Sequence, residues 1–369
     1  MGQDSLKEIR KEIDKLDEKI LDVLSKRKGF VEEVIKFKKK NKVAFYQPGR
    51  EVEIIKRLLR KAPGKKLDKE FVQKLYQLII SYFRNKELVT SNKKVESFKR
   101  IATLGPRETF SDIVTKKFIQ NLNLNSKIIY YPTIPEIFDA VLEKEVDLGI
   151  VPFENSTEGS VRQTLDELFK NDVHIFYSLN LSIHQVLAGK SENKIKEIIS
   201  HEQSFAQCSH FIRSEFPNAE ISFASSNAQA MIRVKNSKKK GLAAIGPQEA
   251  ALKYGLKVIE ENIEDNKNNV TKFVVIRPEI QEEGDITSIA LYGHEDRPGL
   301  LYDTLGTFAK KKINLTRIES RPAKSHLGDY VFYIDFESEL INPKVKKLLE
   351  EVKRQSFKIK TFGSYKELE

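Results

Sequence analysis

Residues 147–161 read DLGIVPFENSTEGSV, an apolar run followed directly by polar side chains. The Leu, Ile and Val residues of the first half predict a buried strand that ends at Pro152. Residues 154–159, ENSTEG, then carry far more hydrogen-bonding capacity than a turn requires. Because open α/β sheets bind ligands beyond the carboxyl ends of their strands, we interpret this loop as part of a ligand site in an α/β fold.

Similar apolar segments precede and follow this strand and alternate with helical patterns: RIATL at 100–104, KIIYYP at 127–132, ISFAS at 221–225, GLAAIG at 241–246 and KFVVI at 272–276. Such alternation is typical of α/β layering. Polar loops also follow the predicted strand ends at Gly105 and Ser225. Both loops lie where sheets of this class bind ligands.

A different order of elements is predicted after residue 285. The strand TSIALYGH, the helix GLLYDTLGTFAKKK, the strands INLTRIESRP and DYVFYIDF, the helix NPKVKKLLEEVKRQ and the strand SFKIKTFGSY follow one another. The order β-α-β-β-α-β is the ferredoxin-like arrangement. With the helical segment described next, we expect three domains, over residues 1–93, 98–278 and 285–369.

Residues 5–90 predict helices only. Apolar residues recur at alternating steps of three and four along the first helix, in a heptad stripe: Leu6, Ile9, Ile13, Leu16, Ile20 and Val23. This helix should run to about residue 40, a second should begin at Arg50, and Asp68 can cap a third. Three helices of which one is this long cannot form a compact monomeric core, so we expect an intertwined dimer.

Composition limits the class of protein. One cysteine, Cys208, excludes an intramolecular disulfide and a cysteine zinc cluster, and six scattered His residues argue against a catalytic metal. The longest apolar run, LYQLIISYF, is about half the ~20 residues that a membrane helix needs. We therefore expect a cytoplasmic protein with no metal and no membrane partner, and we also expect no cofactor, which the family resemblance described below implies.

The net charge of +11 is unevenly distributed. Residues 1–95 hold 26 Lys and Arg against 14 Asp and Glu, a net charge of +12, whereas the rest of the chain sums to −1. A basic segment of this kind is typical of a nucleic-acid module, of a pocket for a small polyanion, or of a solvated helix surface. Salt-dependent binding to DNA would identify the first of these.

Two cations interrupt the apolar stripe of the first helix. Arg27 and Lys38 are eleven residues apart, which brings them to within ~20° of one helix face and ~16 Å apart along the axis. The gap suits a small dicarboxylate held between inward-leaning side chains, although both stems could instead extend to the surface. Arg10 lies at the edge of the stripe, and Arg50 and Glu51 open the second helix.

The helical segment resembles the all-helical chorismate mutases over residues 5–90. The shared pattern is an Arg-x-x-Ile-Asp start, a second Arg on the long helix, a Lys eleven residues on, and Arg-Glu after a loop. That family rearranges chorismate to prephenate in a helical dimer without a cofactor. The resemblance implies that the carboxylates and ether oxygen are bound by Arg10 of the partner subunit, Arg27, Lys38 and Arg50, and the ring hydroxyl by Glu51.

Three positions of this segment depart from the mutase pattern. Gln47 stands where the family often has Asp, and Phe83 stands where Ser is common. Glu87 occupies the position from which Gln or Glu donates to the ether oxygen. The resemblance therefore implies a catalytic role for Glu87 beside Lys38, and a substrate-binding role for Gln47.

The central segment resembles the prephenate dehydratases over residues 100–277. Four motifs carry the resemblance, in this order along the chain: TLGPRETFS, VPFENSTEGSV, SHEQSFAQC and NNVTKF. Glu108 replaces a Gly that is usual in the first motif, and Lys272 replaces an Arg in the last. The family has two α/β lobes, like a periplasmic binding protein, with the site in the cleft.

Dehydratases of this family expel carbon dioxide and the ring hydroxyl of prephenate to form phenylpyruvate. Considered by pKa alone, His201 is the natural proton donor to the leaving hydroxyl. The resemblance instead implies Thr271 as the donor, with Asn155 and Gln207 also at catalytic positions. The substrate-binding positions that it implies are Thr109, Ser156, Lys272 and Phe273.

The last unit resembles the ACT domain, a small regulatory domain that binds amino acids. Its motifs fall on Pro298–Leu301 and Glu319–Pro322. In dehydratases this domain binds phenylalanine between paired subunits. The resemblance therefore implies an allosteric site formed by Gly299, Leu300, Leu301, Glu319, Ser320 and Arg321, whereas a purely structural ferredoxin-like unit is the alternative.

These resemblances together predict a bifunctional chorismate mutase–prephenate dehydratase under phenylalanine feedback. We expect a homodimer or a dimer of dimers, with no nucleic-acid partner. One alternative is a monofunctional dehydratase whose helical segment serves only to dimerise. The other is a non-catalytic ligand sensor or nucleic-acid binder.

Overall fold

The structure is a computed structural model, which describes residues 2–41, 48–65, 67–76, 78–80, 98–191, 194–293, 298–322, 330–355 and 357–368. The chain divides into two compact units, Met1–Glu96 and Ser97–Glu369. The first unit corresponds to the basic helical segment. The second contains the α/β segment together with the ferredoxin-like segment.

The first unit is helical, as its apolar periodicity predicts. Helix α1 spans Gly2–Asn41, helix α2 spans Pro48–Lys61, and residues 69–76 and 78–80 are helical. Asp68 caps the third segment, because its Oδ1 accepts a hydrogen bond from the backbone N–H of Phe71 at 2.9 Å. The apolar stripe of α1 is exposed in the single chain: Ile13 is 51%, Leu16 55% and Ile20 57% accessible.

The second unit contains the following strands: β1 (Arg100–Leu104), β2 (Lys127–Tyr131), β3 (Leu148–Asn155), β4 (Gly159–Ser160), β5 (His174–Ser182), β6 (Val186–Gly189), β7 (Glu197–Ser200), β8 (Glu220–Phe223), β9 (Leu242–Gly246), β10 (Lys257–Glu260), β11 (Val270–Arg277), β12 (Ile286–Tyr292), β13 (Leu315–Pro322), β14 (Tyr330–Glu337) and β15 (Lys358–Leu368). Its helices are α3 (Phe110–Asn121), α4 (Ile134–Leu142), α5 (Arg162–Lys170), α6 (Glu202–Gln207), α7 (Ser209–Glu215), α8 (Asn227–Asn236), α9 (Gln248–Lys253), α10 (Leu300–Lys310) and α11 (Pro343–Arg354).

These strands form two sheets: the larger contains the first α/β lobe and the ferredoxin-like segment, and the smaller contains the second lobe. The larger sheet has the order β13-β14-β12-β15-β5-β11-β3-β1-β2, with β4 paired to β3. The smaller sheet has the order β10-β6-β9-β7-β8. The chain leaves the first lobe after β5 and returns to it at β11, which is antiparallel to both β3 and β5. This double crossing makes the two-lobed architecture that the resemblance to the dehydratases implies.

Strand β3 is longer than the sequence predicts. It continues past Pro152 to Asn155, and its end pairs with β11 through the Cα partners Glu154–Lys272 and Asn155–Thr271. The pairing with β11 shifts register at this point, since Pro152 is opposite Phe273. Proline lacks the N–H that a ladder requires, and the irregularity lets the strand resume beyond it. The expected end at Pro152 is therefore wrong.

Close packing of α4 on β3 requires a glycine. A Cβ built at Gly149 would lie 2.8 Å from Cγ2 of Ile137 and 2.9 Å from Cγ1 of Ile276. Ile137 belongs to α4 and Ile276 to β11, so both elements approach the β3 backbone directly. This packing holds the amino-terminal half of β3 firmly in the sheet, from which the polar loop extends.

The ferredoxin-like segment follows the predicted order, β12-α10-β13-β14-α11-β15. Its last strand, β15, pairs with two different strands along its length. Residues 358–365 of β15 pair antiparallel with β12, and residues 366–368 pair parallel with β5. The segment is thus continuous with the larger sheet, and its side chains also contact α5, where Lys360 Nζ donates to the carbonyls of Phe169 at 2.8 Å and Asn171 at 2.7 Å.

Candidate active site

The polar loop after β3 meets β11 at a pair of side chains that are far apart in sequence. The Asn155 Nδ2 group donates to Thr271 Oγ1 at 2.9 Å and to Asn269 Oδ1 at 2.8 Å. Asn155 is buried, which strengthens such bonds because water does not compete for them. Since the amide donates, the Thr271 hydroxyl accepts this bond and retains its own proton as a donor.

The remaining hydrogen-bonding capacity of the loop largely determines its conformation. Asn155 Oδ1 accepts from the backbone N–H groups of Thr157 at 2.9 Å and Glu158 at 3.1 Å, which is an Asx turn. The Ser156 hydroxyl accepts from the backbone N–H of Val270 at 2.9 Å. The loop is thereby fastened to β11, and the predicted substrate contact by Ser156 stays a prediction.

The same loop crosses the cleft to the second lobe. The Glu158 carboxylate accepts from Gln203 Nε2 at 2.6 Å and from Gln207 Nε2 at 3.0 Å. Gln207 was singled out from the sequence, whereas Gln203 was not. Because the two residues are four apart in α6, their amides lie on one helix face, and this spacing could have identified Gln203.

His201, the proton donor that pKa alone would suggest, lies at the amino-terminal end of α6. Its Nδ1 accepts from the backbone N–H of Gln203 at 3.3 Å, so the imidazole caps the helix. Its own backbone N–H donates to Asn227 Oδ1 at 3.3 Å. The ring nitrogen that faces the helix is thus engaged in local structure.

The first dehydratase-like motif forms the start of α3. The Thr109 hydroxyl caps this helix, accepting from the N–H of Asp112 at 3.4 Å and donating to the carbonyl of Pro106 at 3.1 Å. Glu108 adopts a left-handed backbone with φ of 63°, which explains why glycine suits this position. Its carboxylate lies 3.2 Å from Lys116 Nζ. Substrate binding by Thr109 stays a prediction.

Asp112 is the centre of the polar cluster beneath this motif. Its Oδ2 accepts from the N–H of Glu108 at 2.7 Å and lies 2.8 Å from Lys116 Nζ, and its Oδ1 accepts from the Tyr130 hydroxyl at 2.8 Å. Burial and the hydrogen bond to Asp112 raise the pKa of the Tyr130 phenol well above its ordinary value. The cluster supports the backbone of the motif.

Lys272 and Phe273, the two predicted substrate-binding residues on β11, differ in what their side chains contact and in their exposure. Lys272 Nζ lies 3.9 Å from Glu367 Oε2 and 5.7 Å from the ring centroid of Tyr365, both on β15. Successive strand residues point to opposite faces, so Lys272 points away from the Thr271 side. Phe273 is 2% accessible and is therefore enclosed by protein in this conformation. The substrate-binding roles of both residues stay predictions.

The predicted allosteric residues lie in two places. Gly299 is the N-cap of α10, with a left-handed φ of 82°, and is followed by Leu300, which is buried, and Leu301, which is half-buried. Ser320 belongs to β13. Glu319 and Arg321, on the same strand, contact the α/β lobe: Glu319 accepts a short hydrogen bond from Ser160, and Arg321 Nη1 lies 2.7 Å from Asp166 of α5.

Only part of the predicted mutase site lies within the described side chains. Arg27 is half-buried, and burial lowers the pKa of its guanidinium while the neighbouring Tyr76 raises it. Arg10 is exposed. The remaining positions lie outside the residues whose side chains the structure describes: Lys38, Gln47, Arg50, Glu51, Phe83 and Glu87.

Among the residues that the structure describes, no group of His, Cys, Asp and Glu side chains could hold a metal ion. Over the same residues, no helix combines the length and the apolar character that crossing a bilayer demands. The expectations of no metal, no cofactor and no membrane partner stay predictions.

Comparison with known families gives three matches in chain order. Residues 9–88 match the chorismate mutase type II family, residues 101–281 match the prephenate dehydratase family, and residues 287–354 match the ACT domain. These ranges follow the helical unit, the two α/β lobes and the ferredoxin-like segment in turn.

Individual relatives agree with this order. The bifunctional chorismate mutase/prephenate dehydratase of Stutzerimonas stutzeri is 36% identical over 371 residues, with 98% of each chain covered. The prephenate dehydratase of Methanocaldococcus jannaschii is 42% identical over 265 residues, which are 70% of this chain and 95% of that protein. The crystal structure of prephenate dehydratase in complex with L-Phe from Arthrobacter aurescens is similar with a TM-score of 0.65 and 31% identity, covering 72% of this chain and 90% of that one.

The second unit has two α/β lobes with a polar loop across their cleft, and its ferredoxin-like segment continues the larger sheet. Together with the helical unit and the ACT match, these parts define a multidomain enzyme with a regulatory domain. The chain belongs to the bifunctional chorismate mutase/prephenate dehydratase family. The family and the fold class predicted from the sequence are thus confirmed. Of the alternatives left open, membership favours an enzyme over a ligand sensor or a nucleic-acid binder.

Proposed function

We propose that the chain converts chorismate to prephenate in its helical unit and prephenate to phenylpyruvate in its α/β lobes, as two steps of phenylalanine biosynthesis. The observation that carries the dehydratase half is the hydrogen bond of 2.9 Å from Asn155 to Thr271, across the ends of β3 and β11. A two-substrate assay tests the whole proposal. Chorismate and then prephenate are supplied to the full chain, and phenylpyruvate is detected by its ultraviolet absorbance.

Dehydration of prephenate needs chiefly a proton donor. As the ring carboxylate leaves as carbon dioxide, the electrons of the broken C–C bond enter the ring. The C–O bond of the ring hydroxyl breaks on the other side, the oxygen takes a proton, and water departs. Because aromatisation drives the reaction, the enzyme has chiefly to supply this proton. In our proposal Thr271 is the donor, and the Asn155 amide stabilises the negative charge that develops on the Thr271 oxygen.

The two amides of α6 form a subsite for a substrate carboxylate. Gln203 and Gln207 both donate to the Glu158 carboxylate, so this amide pair is arranged to bind two oxygens of one anionic group. Prephenate is a dianion, and one of its carboxylates replaces Glu158 between the amides. Before substrate binds, the Glu158 carboxylate occupies this subsite and connects the two lobes.

Glu158→Gln is expected to lower the KM for prephenate. The substitution keeps one oxygen for the α6 amides and removes a negative charge that repels the incoming dianion. Two unit charges about 4 Å apart in water repel by ~1 kcal/mol, so we expect KM to fall by about 5-fold. Initial rates over a range of prephenate concentrations measure it.

Glu143→Gln is the matched control. Glu143 is exposed and lies between α4 and the amino-terminal end of β3, whereas the polar loop follows the carboxyl end of β3. Its KM should equal that of the unmodified enzyme. A KM for Glu158→Gln that is unchanged or higher would contradict the carboxylate subsite.

The helical unit supplies the mutase site in this proposal. Chorismate is held by its carboxylates and ether oxygen between cations, and catalysis consists of restricting its conformation and placing charge against the transition state. The half-buried position of Arg27 supports a role in anion binding, because a partly desolvated cation attracts an anion more strongly than an exposed one. The other assignments rest on the resemblance: Arg10 of the partner subunit, Lys38, Gln47, Arg50, Glu51 and Glu87.

A homodimer is part of the proposal, because the apolar stripe of α1 needs a cover. Within the described part of the stripe, Ile13, Leu16, Ile20 and Val23 are 51–64% accessible on a helix of 40 residues, which favours a second copy of the same helix as the cover. Pairing of dimers through the ACT domain would give a tetramer. We further propose domains over 1–93, 98–278 and 285–369, a cytoplasmic location, and no nucleic-acid partner.

L-Phenylalanine is the proposed effector of the dehydratase site. The relative from Arthrobacter aurescens was crystallised with L-Phe, and in this chain Glu319 contacts Ser160 next to the polar loop. We expect binding in the micromolar-to-millimolar range and, at the usual coupling of ~1–3 kcal/mol, roughly 5- to 150-fold inhibition. Calorimetry measures the binding. If phenylalanine produces no heat and no inhibition at millimolar concentration, the segment is a structural unit only.

A further inference from the structure

A buried arginine of the ACT segment reaches the polar loop of the dehydratase lobe. The Arg317 side chain, on β13, is 9% accessible. Its Nη2 donates to Ser160 Oγ at 2.6 Å, its Nε lies 3.8 Å from Glu154 Oε2, and its guanidinium carbon lies 4.8 Å above the ring centroid of Phe153. One side chain thus touches three residues of the loop region.

Those three residues belong to the two arms of one hairpin. Strands β3 and β4 pair antiparallel through Glu154–Ser160 and Asn155–Gly159. Arg317 contacts Phe153 and Glu154 on the first arm and Ser160 on the second. Asn155 follows Glu154 directly, so Arg317 holds the hairpin one residue from the side chain that bonds Thr271.

The guanidinium is itself held in place by carboxylates. Its Nη2 donates to Glu319 Oε2 at 2.6 Å, and its Nη1 lies 3.8 Å from Oδ2 of Asp335, which is 2% accessible. Asp335 also accepts from Ser288 at 2.6 Å, which fixes its orientation. The planar fork of an arginine can contact groups on several sides at once, which the ammonium of lysine cannot do with the same geometry.

We infer that Arg317 is a positioning residue for the dehydration step: it holds the β3–β4 hairpin at the spacing that keeps Asn155 bonded to Thr271. Arg317 lies outside the motif Glu319–Pro322 and contacts no substrate position directly. The inference rests on the proposed function of Asn155 and Thr271. It makes the ACT segment a structural part of the dehydratase site, whether or not an effector is bound.

The test compares kcat and KM for prephenate in the full chain. Misplacing a catalytic group by about 1 Å can cost ~10²-fold in rate. We expect Arg317→Met to lower kcat by about 10-fold or more with KM changed less than about 3-fold, and Arg317→Lys to fall between Arg317→Met and the unmodified enzyme. In an Asn155→Ala background, Arg317→Met should cost less than about 3-fold, because the group it positions is gone.

Lys360→Met is the matched control. Lys360 is another half-buried cation of the same segment that contacts the dehydratase lobe, but it does so at the carboxyl end of α5. Its kcat and KM should stay within about 2-fold of the unmodified enzyme if position at the hairpin is what matters. A similar loss of kcat in Lys360→Met would reduce Arg317 to a general support of the interface and overturn the inference.

Two outcomes separate this inference from the function on which it rests. If Asn155→Ala keeps full turnover, the proposed role of Asn155 is wrong. If Asn155→Ala is slow but Arg317→Met costs the same factor in both backgrounds, only the positioning role is wrong. Should Arg317→Met fail to fold, the double variant Glu154→Gln/Ser160→Ala weakens both polar contacts of Arg317 with the hairpin while leaving its pairs with Glu319 and Asp335. An unchanged kcat in this double variant would overturn the inference.

Discussion

Thr271→Val is expected to lower the turnover of prephenate by ~10²-fold or more, the low end of what general acid catalysis contributes. Valine keeps the shape of the side chain and removes both the proton donor and the acceptor for the Asn155 amide. Substrate carboxylates bind elsewhere, so KM should change little. Thr271→Ser should retain part of the activity, because it keeps the hydroxyl but loses the methyl group that restricts its rotation.

His201→Asn is the control for this prediction. The imidazole caps α6 through Nδ1, and asparagine is a good helix cap, so the fold should be preserved. Turnover should remain within a few-fold of the unmodified enzyme. If His201→Asn abolishes turnover while Thr271→Val does not, the proton comes from the imidazole and the assignment to Thr271 is wrong.

Arg27→Ala is expected to lower chorismate consumption by ~10²- to 10³-fold, the cost of removing one preorganised donor to a charge that develops in a transition state. Prephenate turnover should remain within about 2-fold, because Arg27 and the dehydratase cluster belong to different compact units. Both activities are measured on one preparation, with chorismate absorbance for the first and phenylpyruvate absorbance for the second.

Lys28→Ala is the matched variant for Arg27→Ala. It removes the same charge from the next residue of α1, where the side chain is 48% accessible and its Nζ lies 3.9 Å from Glu32. An exposed pair of this kind contributes little, so both activities should be retained. Equal loss of the two activities in Arg27→Ala would indicate misfolding. Loss of mutase activity in Lys28→Ala would indicate that the overall charge of the helix, rather than a pocket, binds chorismate.

The elements that depend on local pattern could be predicted from the sequence. The heptad stripe predicts α1, and Asp68 caps the following segment as expected. Alternating apolar segments predict the strands near Ile101, Leu148 and Phe273, and the order of the last segment predicts its ferredoxin-like fold. These predictions hold because burial of one helix face or one strand face is decided by the spacing of neighbouring residues.

The candidate site could be predicted in part. Asn155, Gln207 and Thr271 follow from the resemblance of their motifs to the prephenate dehydratases. Gln203 lies in the motif SHEQSFAQC four residues before Gln207 and could have been identified by that spacing, whereas Arg317 could not, since its role depends on contacts with a distant part of the chain. Arg317, one of two arginines in the predicted strand INLTRIESRP, carries no signal of its own.

The sequence by itself determined the helical class of residues 5–90, six strands of the α/β segment, the order of the last segment, and the residue types that could perform acid catalysis and bind anions. It did not predict β4, β5, β6, β7 and β10. Only the tertiary structure decided which elements and residues meet: that β3 continues past Pro152, that Asn155 lies opposite Thr271, that Glu158 joins α6, and that β15 extends the dehydratase sheet beside β5. The physical reason is sheet register. Shifting a strand by one residue sends every side chain to the other face, and register is set by packing of whole faces over long range rather than by any local pattern.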